Sequence, residues 1–427
     1  MKIVINPAKA EWHALCERPG LELEFLESAV NNVLNRVKTS GDAAVRALTE
    51  QFDRVAITDL AVSASETERA TRQLSPALKA AIQTAAYNIE KFHAAQRRET
   101  LDVETMPGVR CWRKAVPIGK VGIYIPGGTA PLFSTVLMLA IPARLAGCEE
   151  IILCSPPDKQ GNIHPAILFA ASITGVTKIF KVGGAQAIAA MAYGTQTIPA
   201  VHKIFGPGNQ YVTKAKQMVN QQGVAIDMPA GPSEVLVMAD AQADPRFVAA
   251  DLLSQAEHGS DSQVVLVTND QSLIEKVNAA LTEQLKQLPR QETARQALAN
   301  SLTVLFDQWE EAIAFTNAYA PEHLIINTQH CDAVAEQIKT AGSVFLGAFT
   351  PEAAGDYASG TNHTLPTNGF ARAYSGVSLE SFMRYMTFQK ISEAGLRTLG
   401  PVVEHMAEAE ELIGHKNAIS VRLNSMP

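Results

Sequence analysis

Up to about residue 100 the apolar positions recur at helical spacing. Leu78, Ile82, Ala85, Ile89 and Phe92 step by four, three, four and three, which places them on one stripe of a helix opened by Ser75 and Pro76. Val30, Val33, Leu34 and Val37 show the same period in an earlier helix, expected to stop near Ser40 and Gly41. From about residue 120 the texture changes to short β-branched runs at 121–125, 151–154, 178–182, 235–238 and 264–267, separated by helical stretches. Further apolar runs lie at 324–326 and 344–346. Continuously apolar strands alternating with helices predict parallel sheets covered on both faces, hence an α/β fold, and this many strands predict two sheets rather than one. From about residue 377 the chain is expected to return to helix, with Leu396, Leu399, Met406 and Leu412 scattered along it and a short run at 419–423. A tail that small cannot build its own core and should dock on this chain or on a partner subunit.

Composition narrows the function classes. With 427 residues, 47% of them apolar, the chain can bury a large core and should form two or more structural units; collagen, short disulfide scaffolds and wholly disordered chains are excluded. Acidic residues number 43 against 36 basic, a net charge of −7, which offers no basic face for a phosphate backbone, so nucleic acid is not an expected partner. No membrane association is expected either: the longest apolar run, 136–143, contains Pro142 and is followed by Arg144, well short of the roughly 18 residues a spanning helix needs. The opening MKIVINPAKAEWH lacks the apolar stretch of a signal peptide. Five cysteines, Cys16, Cys111, Cys148, Cys154 and Cys331, stand at unrelated spacings, which fits reduced thiols in a cytoplasmic protein. Cys148 and Cys154 flank an apolar run and read as core packing.

Several motifs can carry chemistry. Tyr124-Ile125-Pro126-Gly127-Gly128, Gly183-Gly184-Ala185-Gln186 and Gly206-Pro207-Gly208-Asn209 are glycine turns at strand ends or helix starts. Such turns let a backbone approach a phosphate at a helix N-terminus, although none matches a standard nucleotide fingerprint and each alone also suits a plain turn. Gln255-Ala256-Glu257-His258 closes a helix expected to start at Asp244 and Pro245, with Gln255 and His258 on one face, as metal ligands or as an ordinary helix end. Glu322 and His323 precede an apolar strand, where a carboxylate and an imidazole suit acid–base work or a solvent-facing pair. The segment 354–363 reads as a glycine-rich loop carrying Asp356 and His363, costly to order unless it binds something. Glu410 and His415 mark a helix end with Gly414 between them. Taken together, Gln255, His258, Asp356 and His415 form a possible ligand set of nitrogen and oxygen atoms suited to zinc. Ten histidines make chance grouping a competitor; His13, His93, His164, His202, His330 and His405 sit in no such context.

At these motifs the chain resembles the histidinol dehydrogenases. The resemblance runs from about residue 25 to 423 and includes VGIYIPGGTAPLFSTVLMLAIPARLAGC at 121–148, VGGAQAIAAMAYGT at 182–195, KIFGPGNQYVTKAK at 203–216, DMPAGPSEVLV at 227–237, DLLSQAEHGSDSQV at 251–264, PEHLI at 321–325 and AGDYASGTNHTLPT at 354–367. It implies a zinc-dependent enzyme that oxidises L-histidinol to L-histidine through the aldehyde with two NAD in succession. Carried over, the zinc ligands fall on Gln255, His258, Asp356 and His415, the catalytic pair on Glu322 and His323, further substrate contacts on Ser233, His363 and Glu410, and NAD contacts on Tyr124, Gln186 and Asn209. The implied architecture has two incomplete Rossmann-like domains: 1–120 packing with 235–376, and 121–234 on the NAD side. The tail 377–427 would be exchanged within a homodimer, so that Glu410 and His415 complete the neighbouring site. The competing class is a zinc hydrolase, separable by the requirement for NAD, and a third is a binding module that keeps the fold.

Overall fold

The computed structural model describes residues 1–18, 23–127, 130–229 and 231–426, so Gly128, Thr129 and Ala230 of the motifs above lie outside the described residues. The chain divides into two compact units, Met1–Gln96 with Gly119–Phe382, and Arg97–Ile118 with Met383–Pro427.

The first unit holds two parallel sheets. One is six-stranded, in the order β1-β11-β10-β9-β12-β13: β1 Lys2–Ile5, β9 Glu234–Ala239, β10 Gln263–Thr268, β11 Leu302–Leu305, β12 His323–Asn327 and β13 Ser343–Leu346. The other is five-stranded, in the order β6-β5-β4-β7-β8: β4 Lys120–Tyr124, β5 Glu150–Ser155, β6 Lys178–Lys181, β7 Lys203–Phe205 and β8 Ala225–Ile226. The prediction of two parallel sheets in an α/β fold therefore holds. Alternate residues of the six-stranded sheet enter different cores. Val235, Val237, Val264, Leu266 and Ile325 pack with Leu252 and Ala256 of helix Pro245–Ala256, whereas Leu236, Met238, Val265, Val267 and Leu324 pack with Phe306, Phe315 and Tyr319. Burial on both faces is why these strands read as unbroken apolar runs, each fully buried Val or Leu contributing about 2 kcal/mol.

Helix signals in the sequence are realised with small shifts. Ser75 caps helix Pro76–Ala94, its side chain accepting from the Leu78 amide at 3.2 Å, and Ile82, Ala85 and Ile89 are buried. Phe92 is not: it is 47% exposed, and the position after it, His93, takes the buried place. His93 Nδ1 lies 2.8 Å from the Ile89 carbonyl, which can only accept, so the ring donates there and its Nε2 receives Asn362 Nδ2 at 3.3 Å. The long helical segment Leu23–Asp53 is broken at Gly41 (φ 52°, ψ −130°), where a Cβ would meet Gln196 Oε1 at 2.4 Å.

The second unit departs most from expectation. Residues 377–427 do not run straight into helix: β14 Met383–Ile391 pairs antiparallel with β3 Val109–Pro117, itself paired with β2 Asp102–Met106. These strands are exposed along much of their length and carry polar residues between the apolar ones, so no continuous apolar run marks them. They are held by cross-strand contacts such as Trp112 stacked on Phe388 at 5.3 Å and the Arg113 guanidinium 4.1 Å from the Tyr385 ring. Helices Glu393–Ala409 and Ile413–Asn424 follow. The five cysteines are free, Cys154 fully buried and Cys148 half-buried. Among the described residues no helix is long and apolar enough to cross a membrane.

Candidate functional site

Four side chains converge at the amino edge of the six-stranded sheet. Glu322 and His323 stand where β12 begins, and Glu234 opens the neighbouring β9, with His323 registered against Val235. The Glu234 amide donates to Glu322 Oε2 at 2.9 Å, and the Glu234 carbonyl lies 3.2 Å from both His323 Nδ1 and Gln255 Nε2. A carbonyl only accepts, so both nitrogens donate to it. That settles two orientations. His323 turns its Nε2 edge towards Asp356 Oδ1, and the Gln255 amide turns its Oε1 inwards. Helix Pro245–Ala256, capped by the Asp244 side chain as predicted, runs back from the far edge of the sheet and delivers Gln255 in its last turn, its negative dipole end at the site. His258 follows two residues after the helix end. It is exposed overall, but partial loss of hydration around its ring pushes its pKa down and keeps it neutral and ligand-competent.

Asp356 sits on helix Glu352–Tyr357, not in a loop; a glycine stands at 355 in that helix where a Cβ would meet the Phe345 ring at 2.5 Å. The segment behind it is tied down by Asn88 Nδ2 donating to the Ala358 carbonyl at 2.9 Å and by Asn362 on His93. His323 Nε2 comes to 3.3 Å from Asp356 Oδ1 without the alignment of a hydrogen bond, so both atoms are buried without a hydrogen-bonding partner. Gln255 Oε1 and Glu352 Oε2 share that condition. Ligand atoms of His323, Glu352 and Asp356 all lie within 4.8 Å of one another. His363 spends both ring nitrogens on the protein, Nδ1 donating to the Asp356 carbonyl at 2.7 Å and Nε2 accepting from the Thr135 hydroxyl at 3.0 Å. Ser233, half-buried, immediately precedes Glu234.

The charge balance of this cluster is lopsided. Burial pushes the Asp251 carboxyl up to about 7, and burial followed by the nearby Asp356, Glu322 and Asp251 raises Glu352 well above the carboxylate range despite the opposing pull of His323. Burial would also raise Asp356, but the His323, His363 and His258 rings hold it below its ordinary value. Burial disfavours a charged His323, yet Glu352, Glu322 and Asp356 outweigh it and raise the imidazole. Each unpaired buried carboxylate costs about several kcal/mol. Asp251, Glu352 and Asp356, gathered at a helix C-terminus, therefore call for protons or for a cation, and the orphaned oxygen and nitrogen atoms suit a divalent ion with oxygen and imidazole ligands. The donor set thus fits zinc. Glu410 and His415 belong to the second unit, where both are exposed. The sequence reading missed Glu352, Asp251 and Glu234. Glu352–Asp356 and Asp251–Gln255 are each four apart, the spacing of neighbours on one helical face, a signal that was present.

The glycine turns form a second site, at the carboxyl edge of the five-stranded sheet. Helices Gly184–Tyr193 and Gln210–Gln221 start here after β6 and β7, and a cavity of about 970 Å³ is lined by Tyr124, Gly127, Gly184, Gln186, Asn209 and Asp53, among others. Tyr124 is buried at the end of β4 and its hydroxyl accepts the Gly184 amide at 3.1 Å; burial raises its pKa. Gln186 Nε2 reaches Asp53 Oδ2 at 3.5 Å, and burial pushes the Asp53 carboxyl up to about 6. Asn209 Oδ1 caps the second helix, accepting from the amides of Tyr211 and Val212 at 3.1 Å each. The structure thus brings Tyr124, Gln186 and Asn209 to one cavity, in the size range of small-molecule sites.

Comparison with known proteins accords with this arrangement. The family model described as histidinol dehydrogenase matches residues 16–423. The chain is 60% identical over 426 residues to the histidinol dehydrogenase of Bacteroides fragilis (strain YCH46), covering 100% of both chains. It is 52% identical over 415 residues to that of Escherichia coli O6:H1, covering 96% of this chain and 95% of the relative. The crystal structure of histidinol dehydrogenase from Elizabethkingia anophelis superposes with a TM-score of 0.97 at 56% identity, covering 100% of this chain and 98% of that one.

Proposed function

The chain belongs to the histidinol dehydrogenase family, oxidoreductases of histidine biosynthesis, and on that footing we propose a zinc- and NAD-dependent four-electron oxidation of L-histidinol to L-histidine through L-histidinaldehyde. The observation that carries the finer reading is the meeting of His323, Glu352 and Asp356, with ligand atoms within 4.8 Å of one another, where His323 Nε2, Glu352 Oε2 and Asp356 Oδ1, like Oε1 of Gln255 in the last turn of its helix, are buried with no hydrogen-bond partner among the described residues. Gln255, His258 and Asp356 would hold the metal, with His415 as the fourth ligand. Zinc would gather the imidazole and amine of the substrate and act as a Lewis acid, while NAD would take up hydride.

The protein's own groups divide the remaining work. With Nδ1 on the Glu234 carbonyl, His323 would present Nε2 as the base that removes the hydroxyl proton once a bound cation takes up the Glu352 and Asp356 charges that raise its pKa. Glu322 is held through Oε2 by the Glu234 amide, leaving its second oxygen to activate the water that hydrates the aldehyde, after which His323 assists the second oxidation. Retaining the reactive aldehyde between the two oxidations excludes side reactions. Ser233, His363 and Glu410 would contact substrate, and Tyr124, Gln186 and Asn209 would line the NAD site. The exposure of Glu410 and His415, together with exposed apolar Val402, Met406, Leu412, Ile413 and Val421 in the same unit, supports a homodimer in which the tail completes the partner's site.

The deciding experiment measures NADH formed per molecule of limiting L-histidinol, with and without a chelator. Two NADH per substrate, lost on chelation and restored by zinc, is the expected result. One NADH with aldehyde released would discard the hydration role of Glu322, and no NADH from zinc-loaded protein would discard the reading.

A further inference from the structure

The main chain of one residue orients three functional side chains. Through its amide, Glu234 holds Glu322 Oε2; through its carbonyl it holds both Gln255 Nε2 and His323 Nδ1. The side chain of the same residue is itself anchored. Glu234, 1% exposed at its side chain, meets Arg18, 5% exposed, with Arg18 Nε donating to Glu234 Oε2 at 2.6 Å. All three guanidinium nitrogens are engaged: besides Nε, Nη1 donates to the Cys16 carbonyl at 2.7 Å and Nη2 to the Tyr319 carbonyl at 2.8 Å, and Cζ lies 3.6 Å from the Tyr319 ring centroid. Tyr319 is in turn fixed by its hydroxyl on Gln263 Oε1 at 2.7 Å, where β10 begins beside β9.

We propose that the buried Arg18–Glu234 pair is a positioning device for the site, locking the Glu234 peptide groups so that Gln255 Oε1 and the Nε2 of His323 point at the metal and substrate. This deepens the function proposed above and rests on it. A hydrophobic contact would stabilise the strand end equally well, but it lacks direction. A planar guanidinium held by three acceptors gives Glu234 Oε2 one short, directed, charge-assisted hydrogen bond, and through it holds the strand end that carries the amide and carbonyl. Arg18 comes from the N-terminal segment, 216 positions away, so this strut ties that segment to the active centre. Arg18 touches no reacting atom and is a positioning residue, not a catalytic one.

The test uses the full-length protein loaded with cobalt(II), whose visible absorption reports ligand geometry without turnover. For Arg18→Met we expect a changed cobalt spectrum and about a tenfold to hundredfold loss in both metal affinity and kcat, with KM for NAD within about twofold of the parent. Arg18→Lys, which keeps the charge but not the fork, should recover only part of this. Should Arg18→Met fail to fold, the double variant Arg18→Met with Glu234→Leu removes both charges and decides instead: recovered thermal stability without recovered kcat or cobalt spectrum supports positioning, whereas full recovery of all three overturns it. A folded Arg18→Met protein with parental cobalt spectrum, affinity and kcat also overturns it. If the parent itself forms no NADH, the functional reading has failed, while the cobalt measurements still decide the role of Arg18.

Discussion

The two sites of the first unit are built at opposite kinds of sheet edge. The 970 Å³ cavity lies at the carboxyl edge of the five-stranded sheet, where glycine turns lead into helix N-termini. That is the ordinary place for a ligand in an open α/β sheet, because amide donors and positive dipole ends gather there. The cluster of Gln255, Glu322, His323 and Asp356 lies at the amino edge of the six-stranded sheet, where helix Pro245–Ala256 arrives with its C-terminus. Carbonyl ends and buried carboxylates gather there instead. The same architecture thus offers a donor-rich edge and an acceptor-rich edge, and the direction of the helix dipole decides which is which.

That contrast can be broken by substitutions confined to one edge. The largest effect is expected for His323→Asn, which removes the proposed base: kcat should fall about a hundredfold to ten-thousandfold with metal content intact. Steady-state kinetics beside metal analysis checks it, and unaltered kcat would remove His323 from proton transfer. Next comes the pH dependence of the chelated protein. The Asp251 carboxyl has a folded pKa of about 7 against an ordinary 3.8, so the folded state binds a proton that the unfolded state releases. Stability is therefore full below about pH 4 and is lost as pH rises through 7, by up to about 4 kcal/mol from this group. Urea unfolding at pH 5 and pH 8 should show the metal-free protein weaker at pH 8, with Asp251→Asn flattening the difference; a slope of opposite sign would refute the assignment.

Smaller effects sharpen the comparison. Glu352→Gln keeps the shape of the cluster but removes a carboxyl that can ionise towards a cation, and should weaken zinc binding and kcat by about ten to a hundredfold, read by metal titration. A Glu352→Gln protein that binds zinc like the parent would make Glu352 a bystander. Smallest, Gln186→Ala at the donor-rich edge should raise KM for NAD by up to about tenfold and leave cobalt absorption unchanged. Any change in the cobalt spectrum would mean that the two edges are coupled.

Legibility in the sequence followed locality. Helix starts at Ser75 and Asp244, the break at Gly41, the apolar strands and the turns around Tyr124, Gln186 and Asn209 are all set by residues within a few positions of one another, and each was readable. Gln255, Glu322, His323 and Asp356 were readable as residue types but not as a group, since nothing local says that positions 255, 322 and 356 meet. The strands at 102–117 and 383–391 escaped because an exposed ribbon needs no apolar run. Phe92 escaped because a helical stripe constrains its outermost position weakly, and burial went to His93, which could satisfy both ring nitrogens.

By itself, then, the sequence determined the elements, their caps, the α/β class and, through long motifs, the family, because short-range sterics and periodic burial act within a few residues. Only the tertiary structure decided that Glu352 and Asp356 stand beside His323, that Arg18 pairs with the Glu234 whose main chain meets that histidine, and that this centre lies at the amino edge of its sheet. The reason is physical. Which polar groups are buried together depends on how strands and helices from distant parts of the chain pack, and the energetic pressure to orient or neutralise them arises only once they have been brought together.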